Sequence, residues 1–241
     1  MSVPARAPTA AMVMAAGLGT RMRPLTDTLP KPLIRVAGRT LIDHTLALLA
    51  EAGIQRTVVN LHYRGAQLRA HLAGRETPAI ALSEEPELLD TGGGLVKALP
   101  LLGEAPFAVL NSDAIWAGAN PLTTLAGAWA PERMDALLLL VPHARARGFT
   151  RPGDFFFDPP TGLPSRRGQA PTAPLIYTGA QILAPCALDN APAGAFSLNV
   201  IWDRLLAAGR LAATIHPSAW ADVGTPQGIE IAEDMLAEAG A

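Results

Sequence analysis

The chain has 241 residues, 49% hydrophobic and 17% charged, with a formal net charge of -2. Such a composition supports a sizeable buried core and excludes global disorder, and its charge balance excludes a general pull toward nucleic acid or an anionic membrane. A single cysteine, Cys186, excludes an internal disulfide framework and a cysteine-based zinc site.

Residues 1–9 are rich in Ala and Pro and read as a flexible N-terminal extension. They carry no apolar stretch of the signal-peptide kind, and no apolar run approaches a membrane span, so the cytoplasm is the expected location. An apolar strand follows over Ala10 to Ala15 and breaks at Gly17, with Gly19 close behind. A glycine turn at a strand end lets the main chain approach a ligand and aims several N–H groups at one point, as a phosphate cradle requires. Arg21, Arg23 and Lys31 come next, and Pro30 and Pro32 stiffen the backbone around Lys31. Fixed cations behind a glycine turn suit a nucleoside triphosphate. The spacing matches neither the P-loop, which needs a lysine directly after its last glycine, nor the dinucleotide fingerprint, which needs a third glycine and an immediate helix.

Helix-like and strand-like segments then alternate. Leu41 to Ala52 has helical apolar spacing, stopped by Gly53. Thr57 to Leu61 reads as strand, Gln67 to Ala73 as helix, and Ala79 to Leu82 as strand. The run Glu87 to Gly94 reads as a second glycine-rich turn, opening a helix over Gly94 to Leu101. Three successive glycines there imply close contact of backbone with a flat ring or ribose. Phe107 to Leu110 is a strand that delivers Asn111, Ser112 and Asp113. Pro121 to Ala130 reads as helix, with Pro at its first position. This alternation predicts a mixed, mostly parallel α/β sheet of Rossmann-like character with helices on both faces, and ligands in such sheets sit outside the carboxyl ends of the strands.

The second half is less regular. Leu137 to Val141 is strand, Gly148 to Gly168 an edge strand plus loop, and Leu175 to Leu183 strand. Ser197 to Ala208 reads as helix with Ser197 as candidate cap, and Leu211 to His216 as strand. Trp220 to Val223 is extended, after which Thr225 is expected to cap a last helix that has Pro226 at its first position. Asp113 reads either as a strand-end aspartate capping a following helix or as a ligand. Asp222 reads either as a turn aspartate or as its partner, because two carboxylates remote in sequence suit one Mg²⁺ that takes its other ligands from phosphates.

The runs G-L-G-T-R-M-R-P-L-T and P-K-P-L, at this spacing, resemble the sugar nucleotidyltransferases, the NDP-sugar pyrophosphorylases. The resemblance covers nearly the whole chain after Thr9. It is nearest to the short branch that contains the N-acetylmuramate-1-phosphate uridylyltransferases of cell-wall recycling, through T-G-G-G, G-D-F and W-x-D-V-G-T-P; mannose-1-phosphate guanylyltransferases share most of these features. It implies the nucleotide-diphospho-sugar transferase fold with a small sugar-binding β region. Residues 10–241 then form a single domain, nucleotide-binding over about 10–130 and sugar-binding over about 131–241.

The same resemblance implies Arg21 and Lys31 as catalytic cations and Asp113 and Asp222 as ligands of a Mg²⁺ cofactor. Ala15, Ala16, Gly17, Gly19, Thr20, Thr91, Gly92, Gly93 and Asn111 join the two cations as the nucleotide site. Asn111, Gly153, Asp154, Thr178, Gly179 and Asn199 form the sugar site, with Asn199 alternatively a helix cap. The partners implied are a nucleoside triphosphate, UTP favoured, and a sugar 1-phosphate. Longer members hold the sugar phosphate with a Glu-Lys-Pro motif, which this chain lacks; Arg166 and Arg167 read as its replacement or as a solvated loop. A reading of another class is a catalytically silent sugar-nucleotide sensor, which the retention of all four charged residues opposes.

Overall fold

The computed structural model describes residues 7–240. Strand β1 (Ala10–Met14) is followed by one-turn helices at Thr20–Met22, Leu25–Asp27 and Lys31–Leu33 and by a small hairpin, β2 (Arg35–Val36) and β3 (Arg39–Thr40). Helix α1 (Leu41–Glu51) is capped by Thr40, whose hydroxyl accepts from Asp43 N at 3.3 Å. Next come β4 (Arg56–Leu61), α2 (Gly65–Leu72), β5 (Ala79–Glu84), α3 (Asp90–Leu102) and β6 (Phe107–Asn111). The chain continues through β7 (Ala114–Ala117), α4 (Pro121–Ala128), β8 (Ala136–Pro142), β9 (Ala146–Arg147), and the edge hairpin β10 (Phe155–Asp158) and β11 (Leu163–Arg166). It closes with β12 (Leu175–Leu183), α5 (Asn199–Ala207), β13 (Leu211–Ile215), β14 (Ala219–Asp222) and α6 (Gln227–Glu238).

The main sheet has nine strands. Its first half, in the order β5-β4-β1-β6, is parallel. Beyond β6 the polarity reverses: β12 runs antiparallel to both β6 and β8, and β13 rejoins β8 in parallel. The two-residue alternation of β1 sends Ala11 and Val13 to one face, against α1 and α4 through Leu46, Leu49, Leu122 and Leu125. Met12 goes to the other face, against Leu95 and Leu102 of α3, in a core that extends to Trp202 of α5. Helices therefore cover both faces. A separate three-stranded sheet, β7-β14-β9, rests on α6 through Ala221, Ala232 and Met235.

Several expectations need correction. The T-G-G-G run is the first turn and a half of α3, not a loop before it. Gly costs about 1 kcal/mol relative to Ala inside a helix, but here a side chain has no room. A Cβ on Gly92 would lie 2.2 Å from the Phe196 ring, and one on Gly93 would lie 2.3 Å from Gly194 O. Asp113 caps no helix, because strand β7 begins at Ala114. Thr225 makes no side-chain cap; the N-cap of α6 is Pro226, so the proline precedes the first helical residue. Of the extension over 1–9, residues 1–6 lie outside the described residues, whereas Thr9 O accepts from Gln55 N at 2.9 Å and so belongs to the fold. Among the described residues no helix is long and apolar enough to cross a membrane.

Candidate active site

The carboxyl ends of β1, β4 and β6 open onto two adjoining cavities. The first, of about 360 Å³, is bordered by Ala15, Ala16, Gly17, Lys31 and Asp113 at one end and by Asn60, Glu85 and Leu88 at the other. The second, of about 330 Å³, is bordered by Arg151, Asp154, Tyr177 and Asn199, among others. Met14, Asp90, Thr91 and Asn111 border both.

Lys31 sits on its own helical turn between the two prolines, and its ammonium donates to Asp113 Oδ2 at 2.7 Å. The lysine side chain is only 12% exposed, so the pair is held in a partly water-excluded place. Asp222 reaches the same place through the small sheet: β14 pairs with β7 so that Asp222 stands opposite Ala114, and Val223 N donates to Asp113 O at 2.9 Å. Burial, then the neighbouring Asp113 carboxylate, raises the Asp222 pKa, while Lys31, Arg151 and Arg21 pull it back. Gly224 keeps a gap beside it. A Cβ there would lie 3.1 Å from both Arg21 Nη1 and Asp222 Oδ2. The structure thus brings Arg21, Lys31, Asp113 and Asp222 into one constellation.

Two adjacent carboxylates, one of them raised by burial and by the other's charge, suit a divalent cation with oxygen ligands. Among the described residues no group of three metal-ligating His, Cys, Asp or Glu side chains exists, so a cation on this pair would need its other ligands from elsewhere.

The remaining predicted residues divide. Ala15, Ala16, Gly17, Thr91 and Asn111 border the first cavity, and Asn111, Asp154 and Asn199 the second. Gly19 borders neither. Its φ of 63° and the closeness of Thr26 and Lys31 make it a support for the lysine turn. Thr20 is exposed on its short helix. Gly92 and Gly93 face inward, and their N–H groups donate to Phe196 O at 2.9 and 3.3 Å, which leaves none for a ligand. With Thr91 Oγ1 accepting from Leu198 N, they fasten α3 to the segment that forms the wall at Ser197 and Asn199. Gly153 packs on Ala173 O, and Thr178 is buried with its hydroxyl donating to Leu139 O at 2.8 Å. Gly179, at φ 84°, lies under the Asn111 side chain and sets it in place.

Three residues went unread in the sequence. Asn60 Oδ1 accepts from Ala15 N at 2.6 Å, and its amide donates to the buried Glu85 carboxylate at 2.7 Å, which also accepts from Leu89 N. This chain of bonds holds the glycine turn against the far end of the first cavity. An asparagine inside the apolar T-V-V-N-L strand was the available signal. The third, Arg151, lies with its guanidinium 4.6 Å from the centre of the Phe149 ring. Arg166 is occupied instead: it pairs with Asp203 and donates to the side chain and carbonyl of Asn199. Arg167 braces its own loop through Gly153 O and Ala170 O.

The nucleotidyl transferase family model matches residues 10–150. The chain belongs to that family. It is 46% identical to an N-acetylmuramate alpha-1-phosphate uridylyltransferase of Caulobacter vibrioides, over 97% of this chain and 99% of the relative. A protein of the same description from Neisseria meningitidis serogroup B is 35% identical over 89% of this chain and 93% of its own length. Among solved structures, a UDP-glucose pyrophosphorylase complexed with UDP-glucose superposes with a TM-score of 0.77, covering 96% of this chain and 99% of that one at 16% identity, which shows a shared fold. In this nucleotidyltransferase the four charged residues thus cluster beside the Lys31 end of the first cavity.

Proposed function

We propose that the chain transfers a uridylyl group from UTP to N-acetylmuramate 1-phosphate, releasing pyrophosphate. The convergence of Arg21, Lys31, Asp113 and Asp222 beside the Lys31 end of the first cavity carries this reading, and the near full-length likeness to uridylyltransferases supports the choice of substrates.

The nucleophile is an anionic oxygen of the sugar phosphate. It forms a bond to the α-phosphorus of UTP while the bond from that phosphorus to the bridging oxygen of the β-phosphate breaks. No proton moves, so no general base is needed, and the task reduces to alignment and charge neutralisation. Lys31, with donors left beside its bond to Asp113, would neutralise the α-phosphate. Arg21 would hold the β- and γ-phosphates and stabilise the departing pyrophosphate. Asp113 and Asp222 would hold Mg²⁺, which would supply charge neutralisation at the reacting phosphates. Ala15, Ala16 and Gly17 present backbone to the triphosphate, with Thr91 and Asn111 along the nucleoside. Gly19 and Thr20 act by shaping the lysine turn.

Arg151 takes the place of the missing lysine of the Glu-Lys-Pro motif and meets the sugar phosphate between Asp222 and the second cavity. Asp154 and Asn199 contact the sugar there, Asn111 stands between the two ligands, and Gly153, Thr178 and Gly179 support that wall. Residues 10–130 thus serve mainly the nucleotide and 131–241 the sugar, with Asp222 returning to the phosphates. A consumer of UTP of this kind works in the cytoplasm.

The test is pyrophosphate release from four nucleoside triphosphates, each against several sugar 1-phosphates. The reading expects UTP with N-acetylmuramate 1-phosphate to give the highest kcat/KM. GTP with mannose 1-phosphate exceeding it would overturn the substrate choice.

A further inference from the structure

Asp90 opens α3 with a φ of 58°, in the left-handed region. A helix start does not require this, since an ordinary cap residue has an extended backbone. Glycine would adopt it freely, whereas a residue with a Cβ is strained there. One carboxylate oxygen accepts from Thr91 N at 2.6 Å, and no cation pairs with the group among the described residues. Asp90 is exposed, and it borders both cavities at the point where they meet.

An ionised carboxylate only accepts hydrogen bonds, so its partner must be a donor. Phosphates offer none. The first cavity runs from the phosphate end at Gly17 and Lys31 to its far end at Asn60 and Glu85. A nucleoside triphosphate laid along it puts base at the far end and ribose between, beside Asp90. In dinucleotide-binding α/β folds, whose fingerprint this chain lacks, a carboxylate accepts from a ribose 2′-hydroxyl, which shows that the pairing suits the two groups.

We propose that Asp90 accepts a hydrogen bond from the ribose 2′-hydroxyl and makes the enzyme select ribonucleoside over 2′-deoxyribonucleoside triphosphates. This rests on the proposed use of UTP.

Calorimetric titration with Mg-UTP and with Mg-dUTP tests it on the whole chain, without the sugar. The wild type should bind UTP about ten- to a hundred-fold more tightly than dUTP, the range of a hydrogen bond to a charged group. Asp90→Gly, which relieves the backbone, should keep or raise the melting temperature. It should weaken UTP until it binds no better than dUTP, with dUTP itself unchanged. Asp90→Asn, which retains an acceptor oxygen, should keep part of the preference, and it decides the matter if the glycine variant does not fold. Equal binding of the two nucleotides by the wild type, or an undiminished preference in the folded variants, would overturn this inference alone. Binding of neither nucleotide would overturn the functional reading, and this one with it.

Discussion

Lys31 Nζ and Asp113 Oδ2 lie 2.7 Å apart although 82 residues separate them in the chain. Each holds the other's charge in a partly buried place, so the site's cation and one of its acids are positioned before any ligand arrives. Lys31→Met should lower kcat for pyrophosphate release by about 10²-fold or more, the range for a lost transition-state charge contact. The double variant with Asp113→Asn should lose less than the product of the two single losses, because the residues act as one unit. A double-mutant cycle on kcat, with circular dichroism to verify the fold, checks this.

Arg151 should matter to one substrate more than the other. Arg151→Ala should raise KM for the sugar 1-phosphate about tenfold or more while leaving the Kd for UTP nearly unchanged. Arg167→Ala, which loosens a loop, should show no such selectivity. Steady-state kinetics with each substrate varied in turn separates the two effects.

The contact between α3 and the Phe196 segment should be intolerant of even one carbon. Gly92→Ala places a methyl group into the Phe196 ring and should cost about 1–3 kcal/mol of stability despite alanine's better helix propensity. Adding Phe196→Leu should recover part of that loss. Urea unfolding of the wild type and the two variants gives the comparison.

His216 supplies a pH dependence. It is fully buried, edge-on to Trp116 with ring centres 4.8 Å apart, and neither ring nitrogen has a hydrogen-bond partner among the described residues. Burial pushes its pKa from the ordinary 6.5 down to about 4. The unfolded chain therefore binds this proton at higher pH than the folded one. The group's contribution is whole above pH 6.5 and is lost as pH falls through 4, on the order of 3 kcal/mol in all. His216→Phe should flatten the fall in melting temperature between pH 7 and pH 4.5 relative to the wild type.

Much of this architecture was legible along the chain. The apolar strands ahead of Gly17 and Asp113 announced themselves as nearly unbroken hydrophobic runs, as strands covered on both faces do. The W-A-D-V-G-T-P run marked Asp222, but its nearness to Asp113 depends on β7 following Asp113 and pairing with β14. Less legible was anything set by a distant partner. Gly92 and Gly93 read as a loop because their reason, the segment at Gly194 and Phe196, lies about a hundred residues on. Glu85 gave no local sign that Asn60 and Leu89 N would satisfy it. Arg151 looked like one loop arginine among several, and Arg166 and Arg167 drew attention that their hydrogen bonds now explain.

The most direct test of the central claim is pyrophosphate release by Asp222→Asn with UTP, N-acetylmuramate 1-phosphate and Mg²⁺. Removing one of two adjacent carboxylates should leave the melting temperature at or above that of the wild type and lower turnover by about 10²-fold or more. Near-normal turnover from that folded variant would contradict the account.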